Sequence, residues 1–303
     1  MTAAGVQGPA ADDAALAAID GIAMLPGVPE AVESARVACE QLRWHEAYRR
    51  RWREVRLESG VRVARAGAAI DGARVPLDAV RAIALGAGPG DGSSGAGVGP
   101  DHADLLVARG ALRAAAVVEA WMGDLGARGS VELPPLAHLL SRLHSAAGVG
   151  WLPDDTVGRP RTDDAPQDLR GLGPAPTGSE SAARIALLGR IVRESRASTL
   201  VVAAVVHGEL LAVRPFAAGN GIVARATSRL LVTVRGLDPT GSVVPEAVWA
   251  EAPNAYLGAA AGFATGTPEG VGAWVRACAD AVVAGAAAAR DVADAVVAGR
   301  LTR

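Results

Sequence analysis

Between residues 201 and 237 the chain reads VVAAVVHGELLAVRPFAAGNGIVARATSRLLVTVRGL, and the residues most suited to chemistry are Gly219, Asn220 and Gly221 at its centre. Glycines let the backbone bend so that successive amide N–H groups converge. The N-terminus of a following helix adds roughly half a positive charge, which makes such a loop a site for a phosphate or another anion. Arg214 before the loop and Arg225 one turn beyond it add two cations. The same pattern also fits a plain helix-loop-helix joint whose glycines only satisfy the turn.

Other groupings fail on spacing. His45-Glu46 begins like H-E-x-x-H, but Arg49 stands where the second histidine is needed. His207-Gly208-Glu209 has the H-x-E of zinc deaminases without the P-C-x-x-C that must follow. His138 and His144 are six residues apart, a spacing that does not put both rings on one helical face. Gly90, Gly92 and Gly95 spell G-x-G-x-x-G, yet no strand precedes them and Pro100 follows. All 30 basic residues are arginine. A Walker A loop, a pyridoxal Schiff base and Ser-x-x-Lys acylation each need a lysine and are excluded.

The twelve residues from Arg214 to Arg225 resemble the signature H-P-F-x-[DE]-G-N-G-R-x-x-R of the Fic/Doc (Fido) family without a gap, matching at Pro215, Phe216, Gly219, Asn220, Gly221 and Arg225. Supporting pieces follow in the family's order. Gly67 to Gly72, with Asp71, resembles the inhibitory S-x-x-x-E-G helix, and Leu143-His144 the helix before the substrate flap. Gly158 to Arg161 resembles the G-x-x-R that opens the flap, while Asn254, Tyr256 and Trp274 resemble the helices after the motif. In active relatives the signature histidine takes the target's proton, the acid holds Mg and the first arginine grips the terminal phosphate. Arg214, Ala218 and Ile222 stand at those three positions. Arginine, with a pKa above about 12, is no base. The resemblance therefore implies a degenerate member without AMP transfer, whose brake at Asp71 has lost its arginine partner to Ile222.

Positioning such a loop takes two buried helices, and the sequence supplies them on either side of Pro215, over about 199–213 and 222–235. Helical periods recur over 29–70, 101–125 and 136–147, and no strand series is visible, so the expected class is all-α, a Fic-like helical bundle with at most a short β-hairpin flap within 151–179. The expected organisation is a flexible N-terminal arm over 1–28, a helical region with the inhibitory motif and a Gly-rich linker over 29–100, and a Fic-like core over 101–303. Net charge is −2, which gives no electrostatic footprint for nucleic acid. The apolar run 199–213 is shorter than the ~20 residues of a membrane span, and no signal sequence is visible, so a cytoplasmic location is expected. The cysteines, Cys39 and Cys278, read as buried apolar residues.

The expected function is a pseudo-AMP-transferase with no catalytic and no metal-binding residues. Its retained loop, Arg214, Gly219, Asn220, Gly221 and Arg225, would bind ATP or another phosphate-bearing ligand without Mg. Gly158 and Arg161 are the expected flap residues, and Gly67, Asp71 and Gly72 the remnant of the inhibitory motif. The alternatives are a helical scaffold for an unidentified protein partner with an empty loop, and a transferase of altered chemistry.

Overall fold

The structure, a computed structural model, describes residues 9–86, 101–127, 131–162 and 164–301. The Gly-rich stretch expected as a linker lies outside them from residue 87 to 100. Two helices form the centre, α8 (Thr199–Val213) and α9 (Asn220–Val234). Every residue of α8 except Thr199 and Glu209 is buried. A helix apolar on all sides has to lie inside a bundle. Its start is capped by Ser198, whose hydroxyl accepts from the Val201 N–H, and Pro215 prevents its continuation.

The other helices wrap this pair. α5 (His102–Trp121) and α6 (Leu136–Gly148) cover α9, while α11 (Pro253–Ala264) and α12 (Pro268–Val297) cover α8. α3 (Trp52–Ile70) runs between α5, α12 and the short α10 (Glu246–Glu251), and its C-terminus reaches α9. α2 (Val28–Arg43) lies along α12, closing a second apolar cluster in which Cys39 is buried as a free thiol. α4 (Leu77–Ala84) and α7 (Gly178–Glu194) complete the bundle, the latter opened by a Thr177/Glu180 capping box.

The stretch expected as a flexible arm contains α1 (Pro9–Ala23), and Ile19 is buried in the main core, because the helix has an apolar stripe to place against α7 and α8. The flap region forms no strand among the described residues. Its many Pro and Gly residues favour turns, and two backbone bonds tie it to the loop after α8, from Arg161 N–H to Pro215 O at 2.8 Å and from Gln167 N–H to Ala217 O at 2.7 Å. α12 has the length and apolarity of a membrane span by composition, but half of its most apolar window is buried inside the fold.

His207 sits on α8 fully buried among Trp249, Tyr256 and Trp274, with Nε2 at 2.9 Å from the Tyr256 hydroxyl. It is a core residue. Burial, helped by the charge of Arg225, pushes its pKa down to about 3. Below the ordinary value of about 6.5 the unfolded chain takes up a proton that the folded chain refuses, so stability falls with pH by about 1.4 kcal/mol per pH unit. Unfolding measured at pH 7 and pH 5 should show a loss of about 2 kcal/mol that disappears in His207→Gln. The same pH dependence in both proteins would contradict this.

Candidate functional site

The site begins where α8 ends. Arg214 is the C-cap of α8 in a left-handed conformation (φ 46°), and Gly219, also left-handed (φ 77°), is the N-cap of α9. Between them the chain turns back on itself, and Asn220 closes the turn. Its Oδ1 accepts the Phe216 N–H at 2.9 Å, and its Nδ2 donates to Phe216 O at 2.9 Å. A side chain that makes both bonds of a backbone pair holds the loop as rigidly as a short ladder would.

His144 supports the loop from α6. Its ring stacks on Phe216 with 3.9 Å between centroids and 5° between planes. Nδ1 accepts the Gly158 N–H at 2.8 Å, so Nε2 carries the proton and donates to Ala218 O at 2.9 Å. Burial lowers its pKa, the bond to Ala218 opposes that, and the neutral ring serves both partners. Gly158 is left-handed (φ 73°), and a Cβ there would meet the Ser145 hydroxyl at 2.2 Å. Only glycine fits so close to α6.

The expected anion position is filled by the protein itself. Asp168 accepts the Asn220 backbone N–H on Oδ2 at 2.8 Å and an Nδ2 hydrogen on Oδ1 at 2.7 Å. Burial raises its pKa, the Asn220 bonds oppose the rise and the charge of Asp71 adds to it. The sequence offered no signal for this residue, since Asp154, Asp155, Asp163 and Asp164 in the same Pro/Gly-rich stretch look alike.

Arg225 is buried and pairs with Asp71, its Nη2 lying 2.6 Å from Oδ2 and 3.1 Å from Gly67 O. The partner expected to be missing at Ile222 is therefore supplied by Arg225, and Asp71 keeps an arginine. This corrects the reading of a lost brake contact. Helix α3 delivers the carboxylate because it ends at Asp71 and turns through left-handed Gly72 (φ 96°), next to the first turn of α9. The approach is close: a Cβ on Gly221 would sit 2.6 Å from Asp71 Oδ1. Burial works against the charge of Arg225, but Asp71, Tyr256 and Glu246 outweigh it and hold its pKa above the ordinary arginine value. Its Nη1 has no hydrogen-bond partner. Two cavities lined by Arg225 measure about 20 Å³ each, room for one water and none for a phosphate.

Arg214 does not point free into the loop. It is buried, with Nη1 donating to Leu169 O at 3.0 Å and Nη2 to Gly173 O at 2.7 Å. The guanidinium expected beside a phosphate is committed to flap carbonyls, which need a donor once buried. Arg161 answers from the flap, donating to Arg214 O at 2.7 Å and Val213 O at 3.0 Å, the free carbonyls at the end of α8. Leu169 (φ 52°) and Arg214 (φ 46°) are the described non-glycine residues with positive φ. That conformation costs about 1–2 kcal/mol at each and persists only where the surroundings impose it.

A Mg ion, which the Fic resemblance brings with it, does not fit these side chains. Ala218 offers a methyl group at the acid's position, the nearest carboxylates are bonded to Asn220 and Arg225, and no three His, Cys, Asp or Glu side chains cluster among the described residues. Asp71→Ala should lower stability by about 3 kcal/mol, the low end for breaking a buried pair, because Asp71 is one-fifth exposed. Adding Arg225→Met should cost less than the two single losses combined. Strict additivity in denaturant unfolding would contradict the pairing.

No family model matches the sequence, and the comparison with curated proteins gives no match. Solved structures do match. A Fic family protein from Desulfovibrio desulfuricans G20 aligns over 100% of this chain and 79% of its own, with 17% identity and a TM-score of 0.59. A Fic domain containing signaling protein from Bacteroides thetaiotaomicron VPI-5482 aligns over 87% of this chain and 98% of its own, at 13% identity and a TM-score of 0.64. Fic-1 from C. elegans covers 95% of this chain and 83% of its own, at 17% identity and a TM-score of 0.64. Three such matches along nearly the whole chain identify the all-α bundle built around α8, the Asn220 loop and α9 as the Fic fold.

Proposed function

We propose that this is a pseudo-AMP-transferase, a Fic-fold protein that has given up transfer and kept the loop as a binding element for a phosphate-bearing ligand such as ATP. The observation that carries the reading is the grip of Asn220 on Asp168. Its backbone N–H and Nδ2 already hold a carboxylate at 2.7–2.8 Å, the arrangement a phosphate oxygen would use.

Arg214 supports the loss of transfer. A base must reach the target hydroxyl, and Arg214 both lacks basicity and is spent on Leu169 O and Gly173 O. Removing a general base typically costs about 10²–10⁴ in rate. The loss of a charge stabiliser adds about 10²–10³, though not multiplicatively. Binding would then rest on Asn220 and the glycine amides, without Mg, while Arg225, expected as a further ligand, holds Asp71 behind the loop. The scaffold reading draws its support from the same closed contacts, because a loop satisfied by Asp168 and Asp71 is stable with nothing bound.

Incubated with labelled ATP, Mg and cell lysate, the protein should label nothing above background. Robust labelling abolished by Asn220→Ala would overturn the reading.

A further inference from the structure

We infer that Asp168 is a built-in latch: its carboxylate occupies the anion position of the Asn220 loop, holds residues 164–173 over it, and has to be displaced before a phosphate-bearing ligand can bind. The inference rests on the phosphate-loop reading and adds its regulation.

Three observations converge on this contact. Both oxygens of Asp168 are used on Asn220, the backbone N–H and the carboxamide, so the loop's donors serve an internal anion rather than water. The segment that carries Asp168 is fastened on either side of it. Gln167 N–H donates to Ala217 O at 2.7 Å, and the Arg214 guanidinium spans the carbonyls of Leu169 and Gly173. The two described non-glycine residues with positive φ, Leu169 and Arg214, are the two ends of one of these bonds. The closed arrangement is therefore held against local backbone preference by contacts between segments, and it is poised to relax when those contacts are lost.

Charge gives the latch its direction. Asp168 supports the Arg214 charge and is itself repelled by Asp71. A phosphate takes over the same N–H donors and returns Asp168 to water, so hydrogen bonds are exchanged rather than lost. A ligand that binds only the open form has its apparent affinity reduced by the fraction of molecules that are open. Removing the carboxylate raises that fraction and the affinity together.

The chain has no lysine, so trypsin cuts only after arginine, and exposed Arg170 lies inside the latched segment. In Asp168→Ala, cleavage after Arg170 should be at least tenfold faster than in the wild type, and inorganic pyrophosphate should bind at least tenfold tighter by calorimetry. Asp168→Asn, which keeps an acceptor but loses the charge, should fall between the two. In the unaltered protein, pyrophosphate should itself speed the cut after Arg170, a readout that does not depend on a variant folding. Unchanged cleavage in both variants, or equal pyrophosphate affinity in the wild type and Asp168→Ala, would overturn the latch. Faster cleavage with no pyrophosphate or ATP binding by any form would overturn the phosphate-loop reading and the displacement step, and would support Asp168 as a clasp of the flap alone.

Discussion

The four hydrogen bonds of Asn220 decide how the rest of the site is arranged. Two go to Phe216 and fix the turn between the buried helices, and two go to Asp168 and fix the flap over that turn. The constraint behind them is simple. α8 is apolar on all sides and α9, although it carries Arg225 and Arg229, is buried nearly all round, so the loop joining them cannot leave its polar backbone to water and needs internal partners. Asn220 supplies an acceptor and two donors in one side chain, and glycines on both sides give it room.

Around that turn the fold has to balance buried charge. Arg225 is paired with Asp71 and feels the charge of Glu246, and Asp168 supports the charge of Arg214. Asp71 and Asp168, packed against the first turn of α9, also face the positive end of its dipole, which favours them there. The loop is thus electrically satisfied as it stands. This is what a resting binding site and a permanently closed scaffold have in common, and what separates them is whether an external anion can outcompete Asp168.

The helices were readable because their signals are local. The all-round apolar run of 199–213, Pro215 and the Gly-Asn-Gly triplet each act on their own few residues, and they placed the loop correctly between two buried helices. The partners of the charged residues were not readable, because they come from far along the chain. Asp71 meets Arg225 across 154 positions, and Asp168 meets Asn220 across 52. Arg214 looked like a phosphate ligand because sequence shows a charge but not the carbonyls that will use it. His144 is legible through the resemblance of Leu143-His144 to the helix before the flap, while the stack on Phe216 and the bond to Ala218 that define its role need the folded loop. The N-terminal stretch reads as a loosely held arm because its many alanines hide the apolar contact that Ile19 makes.

The central claim is that the turn opening α9 is an anion binder, and the backbone amides of Gly219, Asn220 and Gly221 report on it directly. In a ¹⁵N-labelled sample titrated with inorganic pyrophosphate at constant ionic strength, these three amides and that of Asp168 should shift in a saturable way, with or without Mg. If they stay in place while other parts of the chain shift, or if nothing shifts up to millimolar pyrophosphate, the loop is a structural joint and the account of it as a binding element is wrong.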